Sequence, residues 1–195
     1  MPSPPIIDAG KVLPRLERLL ADVVVPYWFP DKVDPTGGYN LNHGNDGGWL
    51  GPADKLVVTQ VRMLLAAARL LRERDVLPDG IDVGDLRAAA DHGFAFLRDR
   101  MWDPEHDGVF WSVDSDGAPR ESSKHLLAQA DALAALAEYA RATGSDAAAD
   151  LAGRLFARIE QARDRRFGGY HEQHSRDWTP IGEGGRKLVG IGAHR

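Results

Sequence analysis

The chain has 195 residues, enough for one ordinary domain, and its 43% hydrophobic and 27% charged residues are the balance of a globular protein. A net charge of −5 and a pI near 5.8 leave it without the basic footprint that nucleic acid or an anionic membrane surface requires. It has no cysteine, which excludes disulfides and thiolate metal sites and suits a reducing, cytoplasmic setting; nor does it show a signal peptide at Met1-Pro2-Ser3-Pro4-Pro5 or an apolar run long enough to span a bilayer.

Hydrophobic spacing predicts five helices. The first covers residues 8–24, with Leu13, Leu16, Leu20 and Val23 on one face, and Pro26 and Pro30 are expected to close it. A long loop rich in Gly, Asn and Asp leads to a second helix over 53–74, ended by Pro78 and Gly80. The third covers 83–100. A turn over 102–108 then precedes a short strand at 109–113 with a hairpin turn at 114–117. The fourth helix covers 124–143, stopped by Gly144, and the fifth 146–163, followed by a strand-like loop over 168–178. The second and fourth are rich in Ala and Leu on several faces, the mark of helices buried on both sides. The third and fifth carry more charge and read as an outer layer. Alternating inner and outer helices are the pattern of an all-α toroid of helical hairpins.

A repeat underlies that pattern. Gly37-Gly38-Tyr39, Gly108-Val109-Phe110-Trp111 and Gly168-Gly169-Tyr170 each lie between helices, and each is followed by a lysine: Lys55, Lys124 and Lys187. Sixty-nine residues separate the first two lysines and sixty-three the next two, a period that fits two helices and a loop. Lys187 would open a third inner helix, but only eight residues follow it, so the sequence reads as the N-terminal part of a longer toroid over 1–195, its third repeat incomplete after 187.

Seven residues beyond each lysine stand Arg62, Asp131 and His194. Equivalent positions of a toroid face one axis, so a guanidinium, a carboxylate and an imidazole are expected to converge on one cavity. Burying them idly is costly, imidazole suits proton transfer near neutrality, and a guanidinium can hold a developing oxyanion. The alternative is that Arg62 and Asp131 form a structural ion pair between neighbouring helices. His171-Glu172-Gln173-His174 invites a metal, but residues three apart on a strand point to opposite faces and no third ligand is evident, so no metal site is expected. The glycines of 42–51 lack the Lys-Ser/Thr ending of a phosphate loop, and Asp114-Ser115-Asp116-Gly117 lacks the remaining ligands of a calcium loop. The tryptophans are expected in the core or packed on loops, with one or two stacking on a sugar if they line a mouth.

Several motifs, in order, resemble the N-acylglucosamine 2-epimerase family. These are Thr59-Gln60-Val61-Arg62-Met63-Leu64, Phe96-Leu97-Arg98-Asp99 through Trp102-Asp103-Pro104-Glu105, and Phe110-Trp111-Ser112-Val113-Asp114. Lys124-His125-Leu126 with Gln129-Ala130, Ala137-Glu138-Tyr139, and Gly168-Gly169-Tyr170 with Arg176-Asp177-Trp178 continue the set. The resemblance implies an (α/α)6 barrel, of which this chain would be about half. It implies a sugar epimerase or aldose–ketose isomerase that abstracts the proton next to the carbonyl of an opened aldose, with no metal or nucleotide cofactor in that step. By the same resemblance Arg62 holds the enediolate oxygen and His194 is an acid/base, while Asp131, Trp111 and Gln129 are expected to contact the substrate. This chain has Leu127 where the family commonly has an aromatic residue and Asp131 where it commonly has Phe. The expected partner is a small sugar, with a homodimer as a further expectation. The other readings are a glycoside hydrolase, for which Asp131 lacks a visible carboxylate partner, and an inactive sugar-binding remnant.

Overall fold

The computed structural model describes residues 8–182, and the sequence-predicted alternation of helices and loops is present there. α1 (Ala9–Leu19) is capped by Asp8, whose carboxylate accepts from the Gly10 amide. The chain continues through a wide π-turn (Leu20–Val24), in which the Val25 N–H reaches back to the Leu20 carbonyl, into α2 (Val25–Trp28). Pro26 therefore does not close the first helix. It falls in the first turn of the continued segment, where a missing N–H is tolerated, and the path ends at Trp28.

α3 (Val57–Arg72) and α5 (Leu126–Thr143) pack side by side. α4 (Val83–Phe96), extended by a π-turn over Leu97–Met101, lies on α3, and α6 (Asp146–Gln161) lies on α5. The two Ala- and Leu-rich helices are thus the inner pair. Val57, Val61, Leu64 and Ala68 on α3, and Ala128, Ala132, Ala135 and Leu136 on α5, are fully buried.

The strands are short and join successive repeats. β1 (Lys55–Leu56) pairs antiparallel with β2 (Ser112–Val113), which pairs with β3 (Pro119–Glu121) around the expected 114–117 turn. β4 (Lys124–His125) pairs with β5 (Gln173–His174), setting Lys124 opposite His174 as Lys55 is set opposite Val113. The inner helices consequently start later than their composition suggests. The Val57 N–H donates to the Trp111 carbonyl at 3.0 Å and the Leu126 N–H to the Glu172 carbonyl at 2.9 Å. Neither helix has a side-chain cap; the hairpin of the following repeat supplies the acceptor instead.

Each loop before an inner helix closes in the same way. The N–H groups of Asp34, Asp103 and Asp164 donate to the carbonyls of Gly38, Gly108 and Gly169 at 2.9, 2.8 and 3.0 Å. In the first two copies a glutamine of the inner helix then grips the loop from below. Gln60 accepts from the Tyr39 N–H at 2.8 Å and donates to the Tyr39 carbonyl at 3.0 Å, and Gln129 does the same to Val109 at 2.8 Å both ways. This grip explains the glycines. Gly38 and Gly108 have φ of +71° and +80°, and a Cβ there would lie 2.5 and 2.7 Å from the glutamine Oε1. The repeat lysine completes the brace, Lys55 pairing with Asp34 at 2.7 Å and Lys124 with Asp103 at 3.0 Å. The period visible in the sequence is therefore a period of loop bracing.

The N-terminal edge is open. Val12, Leu13, Leu16, Leu19 and Val23 form an apolar stripe on the first helical segment, each between 38% and 56% exposed. No residue of α1 is buried.

Candidate active site

Arg62 and Asp131 occupy the second turns of the two inner helices, and the structure brings them together. Arg62 Nε donates to Asp131 Oδ2 at 3.0 Å. The Asp131 side chain is 16% exposed and that of Arg62 is 59% exposed. The pair therefore lies on an open face, and among the described residues the terminal amino groups of Arg62 make no hydrogen bond. An arginine held by one edge with its other edge free presents two N–H donors to an incoming oxygen. The ion-pair alternative raised by the sequence is met in its geometry; the exposed guanidinium edge is what a purely structural pair does not use.

Trp111 is half-buried and stacks on His125 with ring centroids 3.8 Å apart and planes at 22°. His125 precedes the first residue of α5, and Glu121 lies 3.9 Å from its Nε2. Burial pulls the His125 pKa below the ordinary imidazole value, against the pull of Glu121 and Glu172. Sequence reasoning passed over this imidazole. The signal was present in the repeat alignment, where His125 takes the place of Leu56. Gln129 is a correction: it has no exposed surface and both ends of its amide are taken by the Val109 backbone, so it braces the loop and is not available to a substrate. His194 and Lys187 lie outside the described residues.

Lys124, the residue before His125, belongs to a charged knot. Asp103 and Lys124 have fully buried side chains, and Arg176 reaches in with Nε and Nη2 each 2.9 Å from the Asp103 carboxylate. Burial alone would raise the Asp103 pKa, but the hydrogen bonds from Arg176 and Lys124 and the Lys124 charge outweigh it and hold the carboxyl well below the usual range. Lys124 also lies over the Phe110 ring, 4.8 Å from its centroid, as Lys55 lies over Phe96 at 4.9 Å.

His171 and His174 do not point to opposite faces. Only His174 belongs to the strand, so the alternation argument does not govern His171, and their rings meet edge to face at 6.2 Å. Among the described residues no group of three or more His, Cys, Asp or Glu is arranged to hold a metal ion. His174 is fully buried beside Trp178, and neither ring nitrogen has a well-formed hydrogen bond among the described residues. Burial foremost, then the neighbouring charges of His171 and Arg158, lower its pKa from 6.5 to about 4, while the Lys124 backbone opposes them. A histidine whose folded pKa lies below its unfolded value leaves stability intact above pH 6.5. That stability is lost as pH falls toward 4, because the unfolded chain binds the proton first. The loss is expected to reach about 3 kcal/mol by pH 4. Val113 fills the equivalent position one repeat earlier, so His174→Val should remove this part of the acid sensitivity. Urea midpoints at pH 7 and pH 4.5 check it; equal losses in the variant and the parent would refute the assignment.

The chain matches the N-acylglucosamine 2-epimerase (GlcNAc 2-epimerase) family over residues 47–187. It is 31% identical over 181 residues to cellobiose 2-epimerase of Eubacterium cellulosolvens, covering 91% of this chain and 42% of that protein. Against cellobiose 2-epimerase of Dictyoglomus turgidum it is 32% identical over 167 residues, covering 83% and 39%. Its backbone superposes on the structure of cellobiose 2-epimerase from Bacillus thermoamylovorans with a TM-score of 0.80 at 26% identity, covering 94% of this chain and 45% of that one. For a D-mannose isomerase the TM-score is 0.73 at 22% identity, a likeness of fold. This chain belongs to the N-acylglucosamine 2-epimerase family, whose fold is an (α/α)6 barrel, and it spans less than half the length of these relatives. No helix among the described residues is long and apolar enough to cross a membrane.

Proposed function

We propose that this chain supplies the oxyanion-holding part of a sugar epimerase or aldose–ketose isomerase site. The observation that carries the reading is the Arg62–Asp131 pair, bonded at 3.0 Å between adjacent inner helices with the guanidinium edge exposed, in a member of this family. An aldose in its open form presents a carbonyl at C1 and an acidic proton at C2. A base takes that proton, and the electron pair left behind moves into the C1–C2 bond and onto the carbonyl oxygen, giving an enediolate. The free N–H groups of Arg62 point their positive charge at that oxygen as its charge grows, which lowers the barrier because the donors are already in place. Asp131 fixes the fork and keeps it from turning away. The proton then returns to C2 on the opposite face, giving the epimer, or to C1, giving the ketose. His194 is our candidate for the proton-transferring group, and Trp111, stacked on His125, lines the approach. The chemical step needs no metal or nucleotide in this scheme.

The test is proton exchange at C2. Cellobiose, glucose, mannose and N-acetylglucosamine are incubated in D2O with protein carrying this chain, and the C2 resonance is followed by NMR. Loss of that signal from at least one aldose is expected. If every sugar keeps its C2 proton at the rate of the buffer blank, the reading fails, and release of monosaccharide from cellobiose would replace it with hydrolysis.

A further inference from the structure

The Arg62–Asp131 pair has a second unused edge, on the carboxylate. Two other arginines close on their carboxylates with two nitrogens each. Arg176 holds both oxygens of Asp103 through Nε and Nη2 at 2.9 Å, and Arg98 holds both of Asp99 at 2.6 and 2.8 Å. Arg62 meets Asp131 through Nε and Oδ2 alone. Among the described residues Asp131 Oδ1 has no hydrogen bond, just as the terminal amino groups of Arg62 have none. The two free edges are neighbours, because each belongs to the same planar group as one of the joined atoms. The helices that carry them are poor in other donors. The residues three or four positions from Asp131 on α5 are all leucine or alanine, and of those from Arg62 on α3 only Thr59 is polar.

Water satisfies Oδ1 while the face is open. A sugar carbonyl seated on the Arg62 amino groups displaces that water and sets its C2 substituent against Oδ1, since C1 and C2 are bonded to each other. A carboxylate oxygen that loses water needs a donor in its place. A hydroxyl supplies a neutral donor and an acylated amine one uncharged N–H, whereas an ammonium supplies a charged donor, and charge-assisted bonds are about twice as strong. The reaction sharpens the match. When the base takes the C2 proton, the electrons of the C2–H bond move into the C1–C2 bond and a carbonyl pair moves onto oxygen, while the C2 nitrogen keeps its protons. An amino sugar thereby becomes a zwitterion, oxyanion at C1 and ammonium at C2, facing a guanidinium and a carboxylate in the complementary order. The net charge of −5 favours the approach of such a cation.

We propose that Asp131 selects an aldose with a free amino group at C2, so that the substrate class of the Arg62 site is the unacylated 2-amino-2-deoxy sugars in their protonated form. The inference rests on the sugar reading above. Its test pairs unreactive open-chain probes with reacting sugars. 2-Amino-2-deoxyglucitol and glucitol, which differ only in ammonium against hydroxyl at C2, are titrated calorimetrically into the wild-type, Asp131→Asn and Arg62→Ala proteins. The wild type should bind the amino alditol about ten-fold more tightly, the difference between a charged and a neutral donor. Asp131→Asn should erase that preference and Arg62→Ala should keep it. In D2O the wild type should exchange the C2 proton of glucosamine faster than that of glucose or N-acetylglucosamine. The inference is overturned if the wild type binds the two alditols equally, or if Asp131→Asn retains the preference. It is also overturned if glucose or N-acetylglucosamine exchanges its C2 proton while glucosamine stays at the rate of the buffer blank, an outcome that spares the sugar reading. If no aldose exchanges and neither alditol binds, both proposals fall together.

Discussion

Lys124→Ala is expected to cost about 3–5 kcal/mol of folding stability, the range for breaking a buried ion pair from one side. The side chains of Lys124 and Asp103 are both 0% exposed, so removing the ammonium leaves a carboxylate that cannot recover its lost partner from water. Arg176 still holds two 2.9 Å bonds to Asp103, which keeps the loss from the upper end of what an isolated buried charge would cost. The lysine stem contributes as well, because it is fully buried and alanine would leave its volume empty. Lys124→Met restores most of that stem and separates the two contributions: it should recover the packing share and none of the charge share. The first copy offers an internal control. Lys55 and Asp34 are 6% and 13% exposed, so water reaches that pair and Lys55→Ala should cost less. Urea unfolding followed by circular dichroism measures all three. With total stabilities of domains near 5–15 kcal/mol, a loss below 1 kcal/mol for Lys124→Ala would show that Asp103 is not held as described.

Arg62→Ala is expected to lower the rate of C2 proton exchange by about 10²–10³, the loss typical for one donor to a developing oxyanion. Its fold should survive, since the Arg62 side chain is 59% exposed and fills no core volume. Asp131 is 16% exposed and loses only a partner at a wet surface. Arg62→Lys separates charge from shape. A lysine keeps the positive charge but loses the planar fork that bonds Asp131 and the substrate together, so it should restore only part of the rate. The expected signature is a fall in kcat with little change in KM, because the interaction forms as charge develops. A variant that exchanges the C2 proton as fast as the parent would remove Arg62 from the mechanism.

The parts of the structure that the sequence announced are those set by contacts within one repeat. The Ala- and Leu-rich composition of residues 57–72 and 126–143 marked the inner helices because a helix covered on both sides must be apolar on both sides. The 114–117 turn was readable from Asp-Ser-Asp-Gly alone. What could not be read depends on contacts between segments distant in the chain and on local helix geometry. The lysines open strands because Val113 and His174 lie opposite them, fifty to sixty residues further on. Gln129 was expected to contact the substrate, yet its amide, like that of Gln60, bonds to backbone twenty or so residues earlier. Pro26 was misread because a π-turn just before it shifts the helical register. At the candidate site the alignment of repeats placed Arg62 beside Asp131 correctly, since equivalent turns of adjacent packed helices are neighbours. It gave no sign that Trp111 would stack on His125, a contact made by loop geometry.

The borrowed acceptors at the starts of α3 and α5 also fix an order of construction. Val57 finds its carbonyl on Trp111, and Leu126 finds its own on Glu172. An inner helix emerging from the ribosome therefore has a frayed first turn until the hairpin behind it has been made. Arg62 lies in the turn that follows, so this arginine is seated only once the successor of its own unit has been translated.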